Sequence, residues 1–339
     1  MKVLIIKIGA VGDVIMALPM IDVIKKNNHD VHITWLCGKS VEPLLKYIWS
    51  IDTIISINDR NLLTGSIFQK SQALFSVWKK LIGNRYDLIL TCHTDWRYRL
   101  LGIPVRSNEH KFFSKNNGRY RFIPGRHHSD EYVRLATGID DCNAKEGRLP
   151  VLEVLLSDHL KACLEQQKSR SGKLVALAPG GAKNIMRDDD VRRWPIEYYV
   201  DLAKKLVAAE YSVVVTGAVS DIWVRQHFDG LPVIDMVGQT SLIELVALYA
   251  KCDLVITHDS GPLHMAGLSD CKILGLFGPT LPREKIPQSS NVFFIWGGQQ
   301  MPCCPCYDGK DYAVCTDNKC LCEVTVDRVY NEVLMLLNL

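Results

Sequence analysis

No apolar run in this chain of 339 residues reaches the roughly 18 residues that a membrane-spanning helix needs, so the chain is not predicted to cross a bilayer. An excess of one charge is also missing, because 40 Lys and Arg stand against 37 Asp and Glu, a net charge of +3. With charges so nearly balanced, the net charge gives no reason to expect nucleic acid binding. Internal repeats and low-complexity segments are absent from the sequence as well.

A cleavable leader is not predicted either. Met1–Lys7 loosely resembles the start of a signal peptide, but Lys7 and Asp13 interrupt the apolar stretch and no small-residue cleavage site follows. We therefore predict a buried first strand in a cytoplasmic protein.

Length and patterning predict two domains. A chain of 339 residues is too long for one ordinary core, and 47% apolar residues suffice for two. The predicted strands are 2–8, 31–36, 53–57, 88–92, 174–177, 211–216, 254–257 and 272–277. The predicted helices are 13–27, 41–47, 66–82, 130–137, 155–169, 196–209, 221–228, 241–249, one that starts at 262, and 326–337. This alternation predicts an α/β protein with two Rossmann-like domains that face a cleft, where ligands bind at the carboxyl ends of parallel strands.

Thr257–Ala266 (THDSGPLHMA) joins a predicted strand to a predicted helix through an Asp-Ser-Gly turn. Such a turn gathers backbone N–H groups and the positive end of a helix dipole at one point, which suits a phosphate. Asp259, Ser260 and His264 add a carboxylate, a hydroxyl and an imidazole. The segment therefore predicts a site for a phosphorylated ligand. The alternative is an ordinary strand–turn–helix junction that binds nothing.

A second candidate site, Gly9–Asp13 (GAVGD), follows the first strand. A carboxylate at the carboxyl end of a strand could take a proton from an incoming hydroxyl, which is a possible role for Asp13. The alternative is a helix cap or first-turn acid that contributes about 1 kcal/mol. The loop is not G-x-G-x-x-G, so we do not interpret it as a dinucleotide site.

The loop 180–194 is rich in glycine and in positive side chains. Its cations are Lys183, Arg187, Arg192 and Arg193. They could clamp a diphosphate, whereas the alternative is a solvated loop balanced by Asp188–Asp190. Gly278–Thr280 closes the strand after Asp259 and either lines the same pocket or forms a simple turn.

Four motifs taken together resemble glycosyltransferase family 9, the lipopolysaccharide heptosyltransferases. They are Gly12–Pro19, Arg192–Pro195, Asp259–Ala266 and Gly278–Thr280, in the family's order. The resemblance implies a GT-B fold with an acceptor-binding domain (1–155), a nucleotide-sugar-binding domain (156–322) and a last helix (323–339) that packs across both. It implies inverting transfer of heptose from ADP-heptose to a lipopolysaccharide inner-core acceptor, with no metal or other cofactor required for catalysis.

The resemblance also implies roles for individual residues. Asp13 would be the general base that deprotonates the acceptor hydroxyl, and Arg192, where the family often has Lys, would hold the leaving diphosphate. The predicted donor-binding residues are Lys183, Arg192, Asp259, Ser260, Gly261, Pro262, His264 and Thr280. The predicted acceptor-binding residues are Gly12, His93, Asp95 and Arg97. Gly238–Leu242 would frame the nucleotide base.

Residues 97–128 form a basic stretch, defined by Arg97, Arg99, Arg106, Lys111, Lys115, Arg119, Arg121 and Arg126 against one acid, Glu109. The acceptor that the resemblance implies is a phosphorylated, lipid-linked saccharide, so these cations could bind its phosphates or an anionic membrane surface. That interpretation makes the protein peripheral on the inner face of the inner membrane. A solvated basic loop is the alternative.

Twelve cysteines fall into two groups. Six are scattered among apolar residues and are predicted to be small core side chains: Cys37, Cys92, Cys142, Cys163, Cys252 and Cys271. The other six lie close together at Cys303, Cys304, Cys306, Cys315, Cys320 and Cys322. Four of these, Cys303, Cys306, Cys315 and Cys320, are predicted to hold a structural zinc or iron ion, with disulfides or free thiols as alternatives.

Other functions stay open at the level of sequence. A relative could use another nucleotide-sugar or a protein acceptor. The same two-domain scaffold could also serve a nucleotide-sugar epimerase or hydrolase, or a metal-binding scaffold without catalysis.

Overall fold

The computed structural model describes residues 1–115, 119–141, 149–166, 172–183, 185–307 and 311–338. The chain divides into two compact units. The first unit is Met1–Pro150 with Asn184–Met186, and the second is Val151–Lys183 with Arg187–Leu339. Both are built from parallel strands and helices, so the predicted α/β class is confirmed.

The first unit contains a five-stranded parallel sheet. Its strands are β1 Lys2–Ile6, β2 His32–Gly38, β3 Thr53–Ile57, β4 Arg85–Thr91 and β5 Arg106–Phe112. Its helices are α1 Val11–Ala17, α2 Pro19–Asn27, α3 Glu42–Leu45, α4 Asp59–Thr64, α5 Ile67–Leu81 and α6 His128–Thr137, with a 3₁₀ helix at Trp96–Gly102. The strand order is β3-β2-β1-β4-β5, which places β1 at the centre.

Burial on both faces explains why β1 reads as a continuous apolar run. Val3 pairs with Ile33 of β2 on one side and with Leu88 of β4 on the other. Leu4 and Ile6 belong to the core cluster that α5 covers with its buried stripe.

The second unit contains a six-stranded parallel sheet in the order β11-β10-β9-β6-β7-β8. Its strands are β6 Leu174–Ala178, β7 Ser212–Gly217, β8 Ile234–Val237, β9 Leu254–His258, β10 Lys272–Phe277 and β11 Val292–Trp296. Its α-helices are α7 Asp158–Gln166, α8 Ile196–Ala208, α9 Leu242–Tyr249, α10 Gly261–Ala266, α11 Pro282–Lys285, α12 Lys319–Cys322 and α13 Val326–Asn338. Two 3₁₀ helices lie at Asp190–Arg192 and Val219–Phe228.

The last helix belongs to the core of the second unit. Val329 and Val333 of α13 are fully buried in the same cluster as Leu202 and Leu206 of α8. The Trp194 indole N–H donates to the backbone oxygen of Val324 at 2.7 Å and so fixes the entry to this helix. Packing of this helix across both domains stays a prediction.

Several predicted boundaries were wrong for identifiable reasons. The single helix 13–27 is two helices, because Pro19 has no N–H to continue the first one. Strands β5, β8 and β11 were missed, and each lies at an edge of its sheet. β5 reads RSNEHKF and has no apolar run, whereas β8 and β11 are apolar but only four and five residues long. The helix predicted at 221–228 is a 3₁₀ helix, and positions 167–169 of the helix predicted at 155–169 lie outside the described residues.

Candidate active site

In both sheets the strand order reverses beside the first strand of the unit, between β1 and β4 and between β6 and β9. Open parallel sheets bind ligands at the carboxyl ends of the strands that flank such a reversal. Asp13 and His93 follow β1 and β4, whereas Pro179–Lys183 and Asp259 follow β6 and β9. The topology therefore places the main predicted site residues of each unit at the binding edge of its sheet.

Asp13 lies in the first turn of α1 beside a buried cation. The Lys7 Nζ is 3.4 Å from the Asp13 Oδ2, and Lys7 is only 4% exposed. The ammonium also lies 5.4 Å from the centre of the Tyr132 ring, a residue of α6. Such a cation stabilises the ionised form of a carboxylate, the form that a base needs. Lys7 was not predicted as a site residue, although a lysine in an apolar segment was the available signal.

His93 is held as a neutral imidazole. Burial, reinforced by the charge of Lys7, keeps the pKa of His93 well below its usual value. Its Nε2 accepts the N–H of Ile8 at 2.9 Å, and its ring stacks on Tyr98 with centroids 3.7 Å apart. Because Nε2 is the acceptor, the ring proton is on Nδ1, which leaves Nδ1–H as the donor of this side chain.

Asp95 and Arg97 pair with each other. The Asp95 Oδ1 accepts the backbone N–H of Arg97 at 3.0 Å, and the Arg97 Nη2 is 2.6 Å from Asp95 Oδ2. The hydrogen bonds from the Arg97 side chain lower the pKa of Asp95. Asp95 therefore caps the 3₁₀ helix, while Arg97 remains largely exposed. Gly12 precedes Asp13 in the first turn of α1.

The basic stretch is not one solvated loop. Its middle forms β5, and its later part is held against α6 by the fully buried Glu131 and by Arg134. The Arg134 side chain donates to the backbone oxygens of Arg119, at 3.1 Å, and of Arg121. The Glu131 carboxylate accepts the N–H of Ile123 at 3.3 Å. The backbone of this basic loop is thus fixed by two charged side chains.

In the second unit Asp259 is a buried carboxylate with several partners. The Thr280 hydroxyl donates to its Oδ2 at 2.9 Å, and the Arg192 Nη1 lies 3.8 Å from the same oxygen. Burial alone would raise the pKa of Asp259, but the positive charges of Arg192 and Lys285, helped by His264, lower it below its usual value. Three of the predicted donor-binding residues, Arg192, Asp259 and Thr280, therefore lie together.

Arg192 also organises the turn itself. Its Nη1 donates to the backbone oxygen of Asp259 at 2.9 Å, and its Nη2 is 3.3 Å from Asp189. The guanidinium lies 5.8 Å from the centre of the Tyr312 ring. The side chain that was predicted to hold a diphosphate thus also fixes the position of Asp259.

The Asp-Ser-Gly turn packs on the loop after β6. Gly181 has a φ of +82°, and a side chain there would meet the Ser260 Oγ at 3.1 Å and the Pro262 ring at 3.5 Å. Gly261, the first residue of α10, has no described atom within 4 Å of the place where a side chain would begin. The Ser260 hydroxyl donates to the His258 oxygen at 3.3 Å, and His264 is buried on α10. The turn is therefore backed by the Gly-rich loop and open at Gly261.

Asp221 joins two carboxyl-end loops and was not predicted as a site residue. Its carboxylate accepts the N–H of Gly181 at 3.1 Å and that of Ala218 at 2.8 Å. Side chains at Gly180 and Gly217 would approach Asp221 to 2.4 and 3.0 Å. Asp221 thereby ties the loop after β6 to the loop after β7.

Lys183 and His258 have different surroundings. Lys183 lies 3.4 Å from Asp188, and both side chains are about half exposed. His258 is fully buried, and its Nδ1 lies 3.2 Å from the Tyr199 hydroxyl. Burial, reinforced by Arg192, lowers the pKa of His258 to about 3, so this ring is neutral at physiological pH.

The structure gives the predicted metal site no support. Within the described ranges, which include all six C-terminal thiols, no three His, Cys, Asp or Glu side chains are arranged to hold a metal ion. Cys320 is buried, whereas Cys303 and Cys315 are exposed, and the described cysteines are free thiols. Burial, together with the neighbouring Cys303 and Cys315, raises the pKa of Cys306.

The scattered cysteines largely follow the prediction. Cys37, Cys92, Cys252 and Cys271 are buried. Cys163 is only half-buried, so its prediction as a core residue was wrong. Cys142 lies outside the described residues.

Residues 74–313 match the model of glycosyltransferase family 9 (heptosyltransferase). The chain is 25% identical over 312 residues to the lipopolysaccharide core heptosyltransferase OpsX of Haemophilus influenzae, which covers 86% of this chain and 84% of that protein.

Two solved structures resemble the whole chain. A family 9 glycosyl transferase from Veillonella parvula superposes with a TM-score of 0.77 and 19% identity over 99% of this chain and 97% of that one. The ADP-heptose lipopolysaccharide heptosyltransferase II of Escherichia coli gives a TM-score of 0.71 and 20% identity over 99% and 98%. These likenesses confirm the GT-B fold.

The two parallel sheets, the carboxyl-end site residues and the shared fold define a glycosyltransferase of the GT-B class. The chain belongs to glycosyltransferase family 9. In the described part of the chain, no helix is both long enough and apolar enough to cross a bilayer.

Proposed function

We propose that this protein transfers heptose from ADP-heptose to a phosphorylated, lipid-linked inner-core saccharide of lipopolysaccharide, with inversion at the anomeric carbon. The proposal rests on two sites, each at the carboxyl ends of the strands of one sheet. In the first unit Asp13 lies beside the cation Lys7, and in the second the buried Asp259 lies beside Arg192. The family, and relatives whose names state lipopolysaccharide heptose transfer, support the substrate classes. The first unit binds the acceptor and the second binds the donor.

In this mechanism Asp13 accepts the proton of the acceptor hydroxyl while the hydroxyl oxygen attacks the anomeric carbon of the donor heptose. The ammonium of Lys7, 3.4 Å from the Asp13 Oδ2, is the charge partner of this carboxylate. His93 offers its Nδ1–H to a polar group of the acceptor, and Gly12 and the Asp95–Arg97 pair complete the acceptor side.

On the donor side, positive charge offsets the negative charge that develops on the leaving diphosphate. Arg192 supplies that charge next to Asp259, with Lys183 at the edge of the same loop. Asp259, oriented by Thr280, accepts hydrogen bonds from hydroxyls of the donor sugar. The open side of Gly261 leaves room for the diphosphate beside Ser260, Pro262 and His264, and Gly238–Leu242 frames the base. No step uses a metal ion.

Asp13→Asn tests the base directly. We expect kcat to fall about 10²–10⁴-fold, because a general base contributes a factor of that size, while ADP-heptose binding is retained. Turnover is measured as ADP release that depends on a lipid-linked inner-core acceptor, and the anomer of the product is assigned by NMR. Asp30→Asn, an exposed acid of the same unit, is the matched control and should keep wild-type turnover. Wild-type turnover in Asp13→Asn would show that Asp13 is not the general base.

The same assay separates the other candidate functions. Acceptor-independent consumption of the donor would indicate a hydrolase or epimerase, and use of another nucleotide-sugar would change the donor. Activity that survives EDTA is expected for metal-independent transfer. Metal analysis of anaerobically purified protein, with Cys306→Ser as comparison, decides whether the C-terminal thiols bind zinc or iron.

A further inference from the structure

Arg192 shares its positive charge between two carboxylates. Its Nη2 lies 3.3 Å from the Asp189 Oδ2, and its Nη1 lies 3.8 Å from the Asp259 Oδ2. A nucleoside diphosphate bound beside these groups brings further negative charge, which the two carboxylates repel. The other cations of the loop 180–194 also lie beside acids, with Lys183 and Arg193 at Asp188 and Arg187 at Asp311. Offsetting the charge of a diphosphate therefore calls for a cation from another element.

Lys285, the last residue of α11, adds positive charge at the same carboxylate. Helix α11 begins two residues after Thr280, whose hydroxyl donates to Asp259 at 2.9 Å. Burial raises the pKa of Asp259, whereas the charges of Arg192 and, next in size, of Lys285 lower it. Lys285 therefore acts on the carboxylate that Arg192 and Thr280 contact directly.

Two stacked tyrosine rings connect the two cations. The Lys285 Nζ lies 5.8 Å from the centre of the Tyr307 ring, and the Arg192 guanidinium lies 5.8 Å from the centre of the Tyr312 ring. The centroids of the two rings are 4.8 Å apart, and their residues form an antiparallel bridge. Because the face of an aromatic ring attracts a cation, the tyrosine pair holds one cation at each of its two rings.

The tyrosine pair is fixed to the segment that orients Asp259. The N–H of Cys306, next to Tyr307, donates to the Pro279 oxygen at 3.0 Å. The N–H of Ala313, next to Tyr312, donates to the Cys306 oxygen at 3.0 Å. Pro279 immediately precedes Thr280. The rings, and with them Lys285, are therefore tied to the donor side of the second unit.

We propose that Lys285 is a second cation of the donor site, that it binds the phosphate attached to the donor sugar, and that Tyr307 and Tyr312 position it. The inference rests on the proposed function, in which Asp259 accepts hydrogen bonds from hydroxyls of that sugar. A cation that acts on Asp259 then lies next to the phosphate that carries the sugar, and not next to the phosphate that carries the nucleoside. Its charge adds to that of Arg192 where negative charge develops on the leaving group.

Calorimetric titration of the full-length protein with ADP and with AMP tests the proposal, because the two nucleotides differ only in the phosphate in question. We expect Lys285→Gln to raise the Kd of ADP about tenfold or more, since a charge-assisted hydrogen bond to that phosphate is lost. The Kd of AMP should stay unchanged. Lys285→Arg keeps the charge and should retain the preference for ADP over AMP. If another nucleoside diphosphate binds more tightly than ADP, it and its monophosphate take the place of this pair.

Arg283→Gln is the matched control. Arg283 is an exposed residue of the same helix, so the variant removes an equal charge two positions away and should leave both Kd values unchanged. Tyr307→Leu and Tyr312→Leu each remove a ring and should weaken ADP binding more than AMP binding, whereas Tyr307→Phe and Tyr312→Phe keep the rings and should retain the preference for ADP. Circular dichroism verifies folding, and Lys285→Gln decides alone if a leucine variant does not fold.

Two results with Lys285→Gln would overturn the proposal. One is an unchanged ratio of the Kd values of ADP and AMP. The other is an equal loss of affinity for both nucleotides, which would indicate a general structural effect of the substitution. Either result leaves the proposed transfer reaction intact, as long as the wild type binds ADP. A wild-type protein that binds no nucleoside diphosphate would instead contradict the proposed donor site and this inference together, so the two failures are distinguishable.

Discussion

At the scale of single residues, Asp259 shows how a buried charge is kept. Its carboxylate is almost entirely removed from water, yet the cations nearby and the Thr280 hydroxyl hold its pKa below the usual value. A hydrogen bond to a charged group contributes about 1.5–3 kcal/mol, roughly twice that of a neutral pair. The stability of the second unit therefore depends on the same contacts that orient the predicted donor site.

Thr280→Val removes the hydroxyl but keeps the shape of the side chain. We expect the free energy of unfolding to fall by about 1.5–3 kcal/mol, because Asp259 loses a donor in a buried place. Urea unfolding measures the change. Thr257→Val is the matched control, since its buried hydroxyl donates to a neutral carbonyl oxygen at 3.2 Å and should cost about 0.5–1.5 kcal/mol. Equal losses in the two variants would contradict an ionised Asp259.

His258 predicts a pH dependence of stability. Its pKa falls from 6.5 in the unfolded chain to about 3 in the folded one, so below pH 6.5 the unfolded state binds a proton that the folded state does not. Stability is therefore lost as pH falls from 6.5 towards 3, by about 1.4 kcal/mol per pH unit from this group.

His258→Gln lacks this titration. Between pH 7.5 and pH 5, the wild type should lose about 2 kcal/mol more unfolding free energy than the variant, as measured by urea unfolding at both pH values. All other titrating groups are common to the two proteins and cancel in the comparison. Parallel pH curves would show that folding does not lower the pKa of His258.

Some of these residues could be predicted from the sequence and others could not. Asp13 and Asp259 follow apolar strand runs, so their place at a binding edge follows from the pattern. Lys7 and Asp221 act through tertiary contacts, with Tyr132 in one case and with the amides of two loops in the other. Nothing in the local sequence reports which distant group a side chain meets.

At the scale of elements, capping explains where two helices begin. Ser66 and Ser241 each accept the N–H of the residue three positions later, and Gln69 and Glu244 return the contact. Each capping box satisfies two N–H groups that the first turn leaves without a helical partner.

Ser66→Ala and Ser241→Ala should each lower the free energy of unfolding by about 1 kcal/mol, because the cap is lost. Chemical denaturation measures both. Ser76→Ala is the control: Ser76 lies inside α5, and its hydroxyl donates to the Ala73 oxygen at 2.7 Å. It should not destabilise the protein, since alanine is the better helix former there. A loss at Ser76 as large as at the caps would refute the capping argument.

Most apolar strands were predictable, including the edge strand β3, whereas the polar edge strand β5 was not. β1, β3 and β10 lie close to their predicted limits because each contains an apolar run. β5 reads RSNEHKF and has no apolar period, since it pairs with β4 on one side only. Helix α4 was not predicted, because its six residues are too few for a 3.6-residue pattern to show.

At the scale of the whole molecule, each unit has its own sheet and its own apolar cluster. Leu81 belongs to the first cluster and Leu336 to the second. Separate cores predict two calorimetric transitions, one for each unit.

Leu81→Ala and Leu336→Ala should each destabilise one transition by about 2–5 kcal/mol and so assign it to a unit. ADP should then raise only the transition that Leu336→Ala lowers, by about 2.7 kcal/mol at 100 times its Kd. UDP, GDP and CDP at matched concentration are the controls. A shift of the Leu81 transition by ADP would contradict donor binding by the second unit, and a selective shift with another nucleotide would replace ADP-heptose as the donor.

Asp221 also has a consequence for how this sequence can change over evolutionary time. A side chain at Gly180 would clash with the Asp221 carboxylate, and one at Gly217 would press against the Asp221 Cβ at 3.0 Å. The carboxylate also binds two backbone amides that no neutral apolar side chain would satisfy. Replacing Gly180, Gly217 or Asp221 leaves either a steric clash or two backbone N–H groups without their hydrogen-bond acceptor. In an alignment of homologues these positions should therefore be inherited as a unit, and drift at one should be accompanied by compensating change at the others.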